Sequence, residues 1–117
     1  MGIQLKEYVR EDGSNPYQNW FNQLDTLAAA KVTVAKVRLE LGNTSNVSWF
    51  RGIGEYKIDW GPGYRIYLAK EGDTLIMLFG GSTKKNQQKA IDQAVALHDE
   101  YKARKQALAT ECKGKKR

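Results

Sequence analysis

Two periodicities divide the chain. Between residues 15 and 42 apolar side chains recur every three or four positions, between 47 and 80 they alternate, and past 83 the helical spacing returns. The first helical stretch opens on Asn15 and Pro16, a side chain able to cap followed by a residue whose missing N–H costs nothing at the first helical position. Tyr17, Trp20, Phe21, Leu24 and Leu27 then share a face and are expected in the core. A second helix follows at once, with Leu27, Ala30, Val34, Val37 and Leu41 stepping by three and four toward the same core, and Gly42 where a left-handed cap belongs. Ahead of both, residues 3–10 (IQLKEYVR) alternate briefly, which predicts a strand stopped by EDGSNP.

The alternating region predicts strands over 47–50, 55–60, 64–70 and 74–80. Gly61-Pro62-Gly63 and Glu71-Gly72-Asp73 are short enough to make the last three into antiparallel hairpins. Residues 75–79 are apolar on both faces, which places them centrally in a sheet. Ser82 or Thr83 is expected to cap a last long helix that carries Ile91, Ala94, Val95, His98 and Tyr101 on one face. These elements make an α+β fold: a three- to five-stranded, mainly antiparallel sheet with two N-terminal helices on one face and a C-terminal helix. Residues 1–108 form a single domain, and 109–117 are expected to be a basic, disordered tail.

Composition narrows the chemistry. The 117 residues include one cysteine, Cys112, and one histidine, His98, which excludes an internal disulfide and a Cys-based zinc cage. With no acidic cluster either, neither a metal nor another cofactor is expected. No segment approaches the ~18 apolar residues of a membrane span, and the N-terminus lacks a signal-peptide core, so a cytoplasmic protein is expected. Residues 1–50 carry equal numbers of basic and acidic side chains, so the whole net charge of +6 lies in 51–117. A polyanionic partner fits that asymmetry.

The stretch EYKIDWGPGYRIYLAK, residues 55–70, concentrates the candidate chemistry. Alternation puts Tyr56, Ile58 and Trp60 on one face with Tyr64, Ile66 and Leu68. If that apolar face meets the helices, Lys57, Arg65 and Tyr67 are left together on an open face. Arg51 before the hairpin, and Lys84 and Lys85 after the last strand, are placed to converge there, with only Glu55 and Asp59 as balancing acids. Two readings of such a face compete: a solvated surface whose cations discourage edge aggregation, or a phosphate-handling site. His98 sits on the packed face of the last helix and is expected to have no catalytic role.

The order of elements, together with GPGYRIYLAK and the later TLIMLFGGSTKKNQQKAI, resembles the RelE/ParE superfamily of bacterial toxins over roughly residues 3–104. The likeness is closest to its HigB-like addiction module killer proteins. The resemblance implies a RelE-like fold and a toxin neutralised by a co-expressed antitoxin, acting on the ribosome as a metal-independent messenger-RNA endonuclease. On that reading Lys57 resembles a catalytic lysine, Arg65 the arginine on the scissile phosphate, and Lys84 or Lys85 the basic residue after the last strand. Arg51, Tyr67 and Lys89 would bind RNA or ribosome. Asp59 stands where RelE carries a second lysine, and the tyrosine that RelE has at the start of the last helix is missing. The same superfamily implies a rival, a ParE-like inhibitor of DNA gyrase. A non-catalytic basic binding module is the other alternative.

Overall fold

The computed structural model describes residues 2–115, with side chains as far as Thr110. Strand β1 (Gln4–Glu7) leads through a loop into helices α1 (Pro16–Phe21) and α2 (Thr26–Glu40). Strands β2 (Val47–Phe50), β3 (Ile53–Ile58), β4 (Tyr64–Glu71) and β5 (Leu75–Thr83) follow. A single 3-10 turn, Lys84–Asn86, then opens into helix α3 (Gln87–Lys115). The sheet order is β1-β5-β4-β3-β2; β1 runs parallel to β5 and every other pair is antiparallel. The fold is α+β, and the mainly antiparallel, five-stranded sheet agrees with the alternating pattern.

Local signals act where expected. The Asn15 Oδ1 accepts from the Gln18 N–H at 3.0 Å with Pro16 beside it, and Asp25 caps α2 through the Ala28 N–H at 2.8 Å. Gly42, at φ +87°, turns α2 off: its N–H reaches the Leu39 carbonyl and that of Asn43 the Arg38 carbonyl. Ser82 and Thr83 behave differently. Ser82 is buried inside β5, and Thr83 precedes the 3-10 turn without a side-chain capping bond. Helix α3 also continues past residue 108 as far as Lys115, where a disordered tail was expected; Ala107 and Ala109 are strong helix formers. Lys116, Arg117 and the Cys112 side chain lie outside the described residues.

Two expectations about faces fail, and they fail together. Helix α2 buries Ala28, Val32, Ala35 and Leu39, whereas Leu27, Val34, Val37 and Leu41 stand out in solvent, Leu41 at 76 % exposure. Both sets repeat by three and four, so periodicity cannot choose between them. The bulky Tyr17, Tyr56, Ile66 and Leu68 already fill the space between helix and sheet, and the face with two alanines fits what remains.

The other face of the sheet is not open. Helix α3 lies across it, and Ile91 and Ala94 pack with Ile53, Tyr67, Met77 and Phe79 in a second core. The middle of α3 is clamped to the chain just past β1, where Tyr8 and Arg10 both donate to Glu100. The two-sided apolar character of residues 75–79 is thereby explained, since β5 is covered above and below. No helix among the described residues is long and apolar enough to cross a membrane.

His98 is half-buried against the Phe79 ring (5.6 Å between centroids) and beneath Gly52. Burial, then the nearby Lys102, lowers its pKa, against the pull of Asp99 and Glu71. A folded value below the unfolded one means the unfolded chain binds the extra proton first. Stability is then fully present above the ordinary histidine range near ~6.5 and declines as pH falls through it. Denaturant melts between pH 7.5 and 5.5 should show this slope, and His98→Gln should flatten it. An unchanged slope in the variant would assign the effect to other groups.

Candidate functional site

Lys57 and Arg65 are direct cross-strand partners in the β3–β4 ladder, and Arg65 is paired in turn with Ser82 on β5. The row runs Lys57, Arg65, Ser82 across three strands, with neighbouring strands roughly 5 Å apart. The chain then returns Lys84 to the same place, since a Cβ built on Gly63 would lie 3.9 Å from that of Lys84. Gly61 and Gly63, at φ +57° and +77°, make the turn that allows this approach. Lys57, Lys84 and Lys85 are exposed.

Arg65 and Tyr67 share the face of Lys57 as alternation requires, but they are not exposed: Arg65 is 8 % accessible and Tyr67 fully buried. Beneath the start of α3 they join a polar network that sequence reasoning missed. The Glu55 carboxylate, 3 % accessible, accepts at Oε2 from the Tyr67 hydroxyl (3.0 Å) and the Gln87 side-chain amide (2.8 Å), with Arg65 Nε 3.6 Å away. Tyr67 Oη also lies 3.1 Å from Ser82 Oγ. A phenol has one proton to give, so with that proton on Glu55 the serine donates to the tyrosine. Burial above all, reinforced by the Glu55 carboxylate, pushes the Tyr67 pKa up to about 12, keeping it a neutral donor. Tyr67 is thus a structural element of the site and cannot be the exposed RNA contact anticipated for it.

Arg65 donates through Nη1 to the Gly63 carbonyl at 2.9 Å, and its Nε has no hydrogen-bond partner among the described residues. The guanidinium is therefore oriented and charge-balanced; its Nε is sealed beside Glu55, so only its Nη groups could turn toward an anion. Two-sided apolarity in residues 75–79 was the available signal for this burial, because it demanded a cover on each face.

Arg51 does not join the row. It forms the β2–β3 turn with Gly52, both at positive φ, at the opposite end of β3 from Lys57. Left-handed backbone at a non-glycine residue costs on the order of 1–2 kcal/mol; the 2.9 Å ion pair of Arg51 with Asp92 on α3 holds its side chain there. Lys89 is exposed in the first turn of α3 and lines a cleft beside Tyr64. Asp59 lies with Lys31, Arg38, Lys57 and Trp60 around a separate depression of about 320 Å³ between α2 and the end of β3.

A Haemophilus influenzae strain Rd protein described as "Uncharacterized protein" is 37 % identical over 102 residues, which span 86 % of this chain and 97 % of that protein. The chain belongs to the family of that protein. No family model matches the chain, and no solved structure matches it.

Proposed function

We propose that this chain is the toxin of a toxin–antitoxin module, with a RelE-like fold. It cuts messenger RNA on the ribosome by attack of a ribose 2′-OH on the adjacent phosphate. The observation that carries the reading is the row of Lys57 and Arg65 as direct cross-strand partners, with Lys84 brought back beside them. Such a reaction needs a base near the 2′-OH, cations on the developing phosphorane and an acid for the leaving 5′-oxygen, and its chemistry calls for no metal. Arg65, held by Gly63 and Glu55, stabilises the phosphorane; Lys57 serves as base; Lys84 or Lys85 protonates the leaving group or holds phosphate. Requiring the 2′-OH makes the reaction blind to DNA. Dependence on the ribosome implies a cytoplasmic protein.

The partner that neutralises it is an acidic antitoxin. The solvent-facing stripe of Leu27, Val34, Val37 and Leu41 on α2, bordered by the exposed Lys31 and Arg38, suits an amphipathic acidic segment. Two copies of that stripe packed antiparallel would set Lys31 against Arg38, so the same surface disfavours self-pairing.

A second reading has its own observation. The burial of Arg65 and its engagement by Glu55 also suit a basic module that binds RNA without cutting it. Induced expression in a bacterium, with primer extension on a translated and an untranslated copy of one reporter, separates the readings. Growth arrest and cuts in codon register on the translated copy alone are expected, with growth restored by a small co-encoded protein. RNA bound but uncut would favour the binding module. Intact message with gyrase-linked DNA breaks would move the protein to the ParE-like rival.

A further inference from the structure

Strand β5 runs out of partners on one side before it ends. Strand β1 stops at Glu7, opposite Leu78, so residues 80–83 have no neighbouring strand there among the described residues. The corner between α1 and α2 flanks this edge on one side and the first turns of α3 on the other. Between them lies an open cleft of about 780 Å³, inside the ~300–1,000 Å³ range of small-ligand sites. Its walls carry Trp20, Gln23, Tyr64, Asn86, Lys89 and Gln93. The one acid on the rim, Asp25, is already engaged as the cap of α2.

The position of the cleft ties it to the cationic row. Ser82, the β5 member of the row, lines the cleft, and Tyr64 and Thr83, the next pair along, line it from the other face of the sheet at the open edge of β5. The Tyr64 ring is stacked on Trp60 at 6.1 Å and 22° between planes, which holds its orientation. Side-chain amides offer donors and acceptors together, as the edges of a nucleobase do, and unpaired RNA bases are read by amide edges and aromatic faces. A peptide adding a strand to the same edge would find only residues 80–83 free, about the shortest strand that forms.

We propose that this cleft is a nucleobase subsite. It takes one unpaired RNA base beside the phosphate held by Lys57, Arg65 and Lys84. Gln23, Asn86 and Gln93 read the hydrogen-bonding edge of the base, Tyr64 and Trp20 provide the aromatic wall, and Lys89 meets an adjoining phosphate. The inference rests on the RNA-directed reading above, and it assigns base preference to side chains that take no part in the chemical step.

The test uses the full chain in two measurements. In the first, a single-stranded oligoribonucleotide containing 4-thiouridine is photocrosslinked to the protein and the adduct mapped; adducts on the peptides bearing Trp20, Tyr64 or Lys89 are expected. In the second, Gln23→Ala and Gln93→Ala, both at exposed positions, are compared with the parent for the spectrum of cut sites on translated message. Preference for one base at one position should fall about tenfold, the scale of a lost edge-reading contact, with the melting temperature nearly unchanged.

The outcomes separate the two claims. Normal cutting with an unaltered spectrum and adducts elsewhere overturns the subsite and leaves the nuclease reading standing. Adducts in the cleft without any cutting of message keep the subsite and remove the nuclease. Absence of RNA adducts anywhere together with uncut message removes both, and absence of adducts with an unaltered spectrum of cuts overturns the subsite alone. A co-encoded protein segment crosslinked in the cleft overturns the subsite in favour of a protein ligand.

Discussion

Arg65→Ala should lose cleavage and stability together. As the donor preorganised on the phosphorane, its removal should slow cutting by on the order of 10²–10³. An arginine on an open sheet face could be trimmed with little harm to the fold, and the sequence pattern alone leads to that expectation. The burial of Arg65 beside a 3 % accessible Glu55 reverses it, because the substitution strands a buried carboxylate. Breaking one half of a buried pair costs roughly 3–5 kcal/mol; the Tyr67 and Gln87 donors on Glu55 place the expected loss near the lower figure, a melting temperature lower by about 10 °C or more.

Arg65→Lys separates the two effects. It keeps a cation near Glu55 and should retain most of the stability, but an ammonium cannot reproduce a planar, two-point grip, so cutting should still fall more than about tenfold. Single-turnover cleavage of ribosome-bound message and thermal melts of each variant provide the check. Full cleavage by Arg65→Lys would sink the phosphorane role. An unchanged melting temperature in Arg65→Ala would show that Glu55 does not need its partner.

Gly81→Ala should be destabilising at a position where the backbone dihedrals allow any residue. A Cβ there would come within 2.5 Å of three atoms of the Trp20 indole, a rigid ring on α1 that would have to shift as a whole. Overpacking of this kind costs about 1–3 kcal/mol. The penalty belongs to the contact, so it should largely vanish when Gly81→Ala is made in a Trp20→Ala background. Urea midpoints for the four proteins of that cycle decide it. An equal loss in both backgrounds would place the cost in the strand backbone and not against Trp20.

Much of the fold was legible from neighbouring residues. Asn15 and Pro16, Gly42, and the glycines of the two hairpin turns specify backbone states within a few positions of themselves, and each acts as read. The register that sets Lys57 against Arg65 follows from a tight turn and strict alternation. Helix α3 is amphipathic enough that Ile91 and Ala94 were assignable to its buried face.

What the chain determined by itself, then, was local: the start of α1, the end of α2, the tight turns of the hairpins, and which side chains of a strand share a face. Tertiary structure decided what each face meets. It rotated α2 to bury Ala28, Val32, Ala35 and Leu39, and laid α3 over Arg65 and Tyr67. It drew Glu55, Ser82 and Gln87 into one buried network and spent Arg51 on a turn and on Asp92. Caps, turns and alternation act over a few residues, whereas the cover of a face depends on how all the layers fill volume at once. For that reason the same cationic pair reads from sequence as an open patch, and in the folded protein is a buried, oriented arginine with an exposed lysine beside it.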